Sequence, residues 1–156
     1  MTLEIEYQSA LREAELARLH RVLALRAMLS EGESQRDIAK RLGVTQPAVS
    51  YQVSRERTDN VRPSDLLAAG GSVLRHIAEQ RGYTQLAAFG SAARGDDRPD
   101  SDLDLLVQPP SSADLFDMLH LEEAFEDILG KRVDLVSYRG LNPQLDGDIL
   151  NDTVLL

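Results

Sequence analysis

The sequence predicts a chain of two parts, a helical segment followed by a strand-and-helix segment of the α+β or α/β class. Three observations carry this reading. Apolar residues recur at helical spacing through residues 3–55, with no strand-like run among them. Short apolar runs then alternate with helical patterns to the end of the chain. Charge divides at the same place, with a net +1 over residues 1–62 and −10 over residues 63–156. An asymmetry of that size suggests two modules with different partners.

The elements follow in order. Leu3 to Leu29 reads as a long helix, with Leu11, Leu16, Leu19, Val22, Leu23, Leu25, Met28 and Leu29 mostly three or four apart. Its apolar stripe suits either pairing with a second copy, giving a homodimer, or covering the helices that follow. Ser30-Glu31-Gly32-Glu33 breaks it. Ser34 is placed to cap a second helix to Leu42, which Gly43 ends. Thr45 is placed to cap a third, from Gln46 to about Arg55. The polar stretch from Arg55 to Asp65 contains Pro63 and reads as a linker. The expected organisation is residues 1–58 helical, 59–65 linker and 66–156 the second domain. There Ser64 is expected to cap a helix to Gln80, interrupted at Gly70-Gly71. Thr84–Phe89 and Leu103–Val107 read as strands, and Pro109-Pro110 stops the second. Ala113 to Leu129 is an amphipathic helix, Arg132–Ser137 a strand and Pro143–Asn151 a final short helix.

Composition narrows the function. With 156 residues and no cysteine, the chain has no disulfides, thiolate zinc sites or cysteine nucleophile. Aromatic residues make up only 4% and tryptophan is absent, which disfavours base-stacking platforms. No run approaches the roughly 18 apolar residues of a membrane span, and the charged first segment is unlike a signal peptide. The expectation is a soluble, cytoplasmic protein without a membrane partner.

Gln35 to Arg55 carries a first motif. Ala39 lets two helices cross closely, Gly43 supplies a turn with positive φ, and Ile38, Leu42, Val44 and Val49 fill the wedge. This spacing resembles the helix-turn-helix of phage-repressor-like (Cro/CI, XRE-type) regulators. The resemblance implies operator DNA as a partner. It places Gln35 and Gln46 where those regulators carry a glutamine pair that contacts adenine and phosphate. Gln pairs bidentately with adenine in the major groove. Ser50 and Tyr51 follow on the same helix, and Arg36 is placed to meet phosphate. Pro47 departs from the pattern but falls in a first helical turn, where proline is tolerated.

The stronger signal runs from Phe89 to Val107. Gly90-Ser91 is followed, after ten residues, by Asp102-x-Asp104. Gly90 lets backbone approach a ligand. Ser91 brings a hydroxyl to a short helix start whose free N–H groups attract phosphate. Arg94 is placed to neutralise phosphate oxygens. Asp102 and Asp104, two apart on a strand, share one face. Paired carboxylates repel unless a cation intervenes, and hard oxygen donors favour Mg²⁺ or Mn²⁺. Asp134, between apolar residues on a later strand, supplies a third acid. By contrast, Asp96, Asp97 and Asp100 read as loop solvation. Glu122, Glu123, Glu126 and Asp127 read as a solvated helix face.

This Gly-Ser, ten residues, Asp-x-Asp arrangement resembles the DNA polymerase β-like nucleotidyltransferase superfamily, particularly its minimal nucleotidyltransferases. The resemblance covers about Ser64 to Leu156 and implies an α+β fold with a small mixed sheet and helices packed on it. It implies that Gly90 and Ser91 grip nucleotide phosphates, and that Asp102, Asp104 and Asp134 are catalytic and hold the metal. ATP would be the substrate. Many such proteins are antitoxins paired with HEPN-class toxins, and some transfer AMP to a tyrosine of the toxin. A fused helix-turn-helix suits autorepression of the operon. Two alternatives stay open: a DNA-binding autorepressor that only docks its partner, or a transferase acting on RNA or a small molecule.

Overall fold

The computed structural model describes residues 2–144 and 146–156. The fold is α+β, with helices first and then a four-stranded mixed sheet. Helix α1 runs Leu3–Ser30, capped by the Thr2 hydroxyl. Helix α2 (Gln35–Leu42) is capped by Ser34 and ends at Gly43, whose φ of 70° is the left-handed value glycine adopts freely. Helix α3 (Gln46–Arg55) is capped by Thr45, with Pro47 in its first turn.

Helix α4 (Pro63–Gln80) starts differently from expectation. Ser64 does not cap it; Arg62 occupies the cap position without a side-chain capping bond. The Ser64 N–H and hydroxyl donate instead to the two carboxylate oxygens of Asp97, at 2.7 and 2.8 Å. Asp97 is therefore not loop solvation; it is only 5% exposed. An anion at a helix start satisfies free N–H groups and meets the positive end of the helix dipole. Further on, Gly70 leaves helical geometry, with φ −137° and ψ 17°.

Strand β1 (Thr84–Phe89) leads into the short helix α5 (Gly90–Arg94), and strand β2 (Leu103–Gln108) follows the polar loop. Helix α6 (Leu115–Leu129) opens on a reciprocal cap between Asp114 and Asp117 and stops at Gly130. Strand β3 is Val133–Ser137, followed by a 3-10 turn over Tyr138–Gly140. Helix α7 covers Gly147–Asn151, shorter than the expected Pro143 start, and Leu145 lies outside the described residues. A last short strand, β4 (Val154–Leu155), was not anticipated. The sheet order is β3-β2-β1-β4. Strand β1 is antiparallel to β2 and β4, and β2 is parallel to β3.

Alternation along the strands gives the sheet two faces. Leu103, Leu105, Val107, Val133 and Leu135 face the main core with α4 and α6. Ala87, Phe89 and Leu106 face a smaller cluster with Val136, Tyr138, Leu141 and Ile149. Helix α1 serves two clusters. Leu19, Leu23 and Ala27 enter the main core, and Leu25 joins Ile38, Ala39 and Val49 of α2 and α3. Arg26 lies at the junction. It donates to the Glu56 carbonyl (2.8 Å), the Thr58 hydroxyl (3.1 Å) and the Ile128 carbonyl (3.2 Å). Thr58 is buried and donates in turn to the Leu129 carbonyl at 2.7 Å. Among the described residues, no helix is long and apolar enough to cross a membrane.

The α1–α4 crossing depends on Gly70, because a methyl group there would overlap Leu23 Cδ1. Gly70→Ala is expected to destabilise the fold by about 1–3 kcal/mol through overpacking, read from urea unfolding. An unchanged midpoint would show that the crossing is looser than its geometry indicates.

Candidate functional site

The strand register gathers the acidic residues. Asp104 on β2 lies opposite Phe89 on one side and Asp134 on the other. Opposed residues point to one face, so Asp104 and Asp134 share the face of the smaller cluster. Asp102 precedes β2 by one residue rather than lying within it. Its carboxylate is nonetheless close enough to act on Asp104. The Asp104 carboxyl is pushed above its ordinary range by burial first, then by the charges of Asp134 and Asp102, with Arg94 opposing. Asp104 is half-buried, whereas Asp102 and Asp134 are exposed. Among the described residues, no three acidic or imidazole side chains form a ready-made metal cluster. What exists is a desolvated carboxylate with two like charges beside it.

The turn after β1 fits around that carboxylate. Gly90 has φ 71°, and a methyl group on it would overlap Asp104 Oδ2. Glycine is required twice here, for the left-handed backbone and for the close approach. Ser91 follows at the start of α5, half-buried. Arg94, at the end of α5, is half-exposed and pairs with Asp96 (3.3 Å) and Asp152 (3.6 Å). It therefore already has carboxylate partners, for which phosphate oxygens would compete.

Two residues that position Asp134 escaped the sequence reading. Glu122 and Glu126 are not a solvated face. The Val133 N–H donates to Glu126 Oε2 at 3.1 Å, and the Leu135 N–H donates to Glu122 Oε2 at 3.0 Å. These N–H groups flank Asp134 on the edge strand, where no further strand offers carbonyls. Glutamates four apart on α6 replace the missing strand. The signal was their spacing beside a predicted edge strand, which charge alone does not reveal.

In the helical part, α2 and α3 meet across Gly43, and Gln46 Nε2 donates to Gln35 Oε1 at 2.8 Å. Arg36 and Tyr51 are exposed, Ser50 is half-buried, and the Arg55 guanidinium lies 5.9 Å from the centre of the Tyr51 ring. These residues are distinct from the acidic site; Arg94 and the three aspartates all belong to the sheet end.

The family described as polymerase beta, nucleotidyltransferase matches residues 74–156. The chain belongs to that family. Protein adenylyltransferase MntA of Thermococcus cleftensis is 35% identical over 80 residues, which are 51% of this chain and 81% of that protein. A Methanocaldococcus jannaschii protein named for the same activity is 36% identical over 78 residues, 50% of this chain and 84% of its own length. A solved structure described as a minimal nucleotidyltransferase superposes with a TM-score of 0.55 at 40% identity. It covers 60% of this chain and 95% of its own.

Replacing Glu122 with Ala is expected to cost about 1–3 kcal/mol, because it strands a strand-edge N–H beside Asp134. Urea unfolding checks the energy, and amide hydrogen exchange at Leu135 should rise. Unchanged exchange there would remove the glutamate from the positioning of Asp134.

Proposed function

We propose that the protein transfers AMP from Mg-ATP to a partner toxin of the HEPN class, and so acts as the antitoxin of the pair. The observation that carries this reading is the Gly90-Ser91 turn closed against a half-buried Asp104 with Asp102 and Asp134 beside it. The names of the adenylyltransferase relatives support a protein acceptor. The donor set suits Mg²⁺ or Mn²⁺: all oxygen, all carboxylate, and electrostatically strained without a cation. Asp102, Asp104 and Asp134 would hold the metal, which when bound offsets phosphate charge and makes a hydroxyl a better nucleophile.

The protein's own residues do the rest. Gly90 admits the phosphate chain close to the backbone, and the Ser91 hydroxyl and N–H bind its oxygens. Arg94 exchanges its carboxylate partners for phosphate. The acceptor oxygen bonds to the α-phosphorus, the bond to the bridging oxygen breaks, and pyrophosphate leaves. Asp134, exposed at the sheet end, is open to an incoming acceptor and takes its hydroxyl proton.

The helical part, residues 1–58, we read as an operator-binding module that represses the operon. The Gln35–Gln46 hydrogen bond supports it, since it holds Gln46 in a fixed orientation at the start of α3. The exposed Arg36 offers a phosphate contact. A second reading, docking without transfer, draws on the ion pairs that occupy Arg94.

Radiolabelled ATP with the protein encoded by the neighbouring gene should label that protein. Asp104→Asn should lower labelling by more than about 100-fold, a loss that removing even a neighbour of a metal ligand approaches. An Asp102→Asn/Asp104→Asn protein that still silences the partner would favour docking. For DNA, Gln46→Ala should weaken binding to the chain's own promoter by about 1–3 kcal/mol at fixed salt. An equal loss of binding to unrelated DNA would count against base reading.

A further inference from the structure

Helix α1 is longer than the structure that supports it. Every residue from Leu3 to Glu15 is exposed, and burial begins only at Leu19. Among the described residues, only Arg12 of that stretch reaches another element by an ion pair, with Asp65 at 2.8 Å. Leu3 is 85% exposed, Tyr7 65% and Leu11 49%. Isolated helices shorter than about 12–15 residues are marginal in water. A segment of this length with its large apolar residues bare lacks the packing that normally orders a helix.

The sequence of the segment shows what covers it. Leu3, Tyr7, Ala10, Ala14, Ala17 and Arg21 recur with alternating spacings of four and three, which is a heptad seam, and all six are exposed. The seam lies outside the residues matched by the nucleotidyltransferase family. It stops where Leu25, Met28 and Leu29 turn the helix towards α2 and α3.

We propose that α1 pairs antiparallel with α1 of a second copy, making the protein a homodimer. Antiparallel alignment about Arg12 sets the large Tyr7 against the small Ala17 of the copy, and Ala10 against Ala14. The Leu3 side chain packs on the aliphatic stem of Arg21. Such large-on-small layers bring two helices close together without a void. The flanking charges agree with the same alignment. Glu6 faces His20 of the copy and Leu11 meets Leu11 on the two-fold axis, while Arg18, opposite Glu4, keeps its own-chain partners Glu15 and Glu56. Like charges meet only at Glu13, on the outer rim. Parallel pairing instead sets each residue against itself, Tyr7 on Tyr7 and Arg21 on Arg21. A two-fold pair is the arrangement that helix-turn-helix readers use on palindromic sites, but the pairing itself requires no DNA.

The full chain should sediment at twice its mass. Tyr7→Glu should raise the dimer dissociation constant by about 100-fold or more, because it buries a charge in the seam. Tyr7 is exposed within one copy, so the circular dichroism of α2–α7 should be retained. The natural absence of cysteine allows an orientation test. With oxidised glutathione, Leu11→Cys should form a covalent dimer, and Leu3→Cys should not. A chain that sediments as a monomer at every concentration would overturn the proposal. So would crosslinking of Leu3→Cys as fast as Leu11→Cys, which only parallel pairing allows.

Discussion

The site is built around one unfavourable group. Asp104 is half-buried, presses against a bare glycine, and has two aspartates as neighbours. Among the described residues, Arg94 is the group that favours its charge. A fold keeps such a group only if the surrounding structure holds it there. The sheet does so: the register that pairs Asp104 with both Phe89 and Asp134 is continuous with the apolar layers at Leu105 and Leu106. A slip of one residue would send Asp104 into the main core and Leu105 to the open face.

Polar groups on the helices finish what the strands leave undone. A four-stranded sheet has two edges, and β3 is the edge that carries Asp134. Glu122 and Glu126 occupy its outward N–H groups from α6. Asp97 does the same for the first turn of α4. Each carboxylate lies on a surface that is polar in sequence, yet each accepts backbone hydrogen bonds that water would otherwise make. The acidic balance of the second half is thus partly structural and only partly chemical.

Helix α1 connects the parts. Its apolar positions divide between opposite faces, with Leu19 and Leu23 towards the main core beneath the sheet and Leu25 towards α2 and α3. Arg26 ties the strand of chain around Glu56 and Thr58 to the end of α6. The polar stretch after α3 is therefore anchored at Thr58, although its composition is that of a linker.

Local chemistry determined much from the sequence alone. The caps at Ser34 and Thr45 and the stops at Gly43 and Gly130 are set by contacts within a few residues, and the main strands are marked by their local apolar runs although they pair at a distance. The ten-residue interval from Gly90-Ser91 to Asp102-x-Asp104 also speaks locally, because a turn and a strand start must return to the same sheet end. Only the tertiary structure decided the rest. The sequence could not say that Ser64 leaves its cap for Asp97, since the partner is 33 residues away. It could not separate Glu122 and Glu126 from Glu123, because a helix face is solvated or edge-filling according to what packs beside it. Strand β4 is two residues long and exists only because β1 offers it an edge. In each case the deciding contact is between segments far apart in the chain, and periodicity records nothing about which distant group arrives.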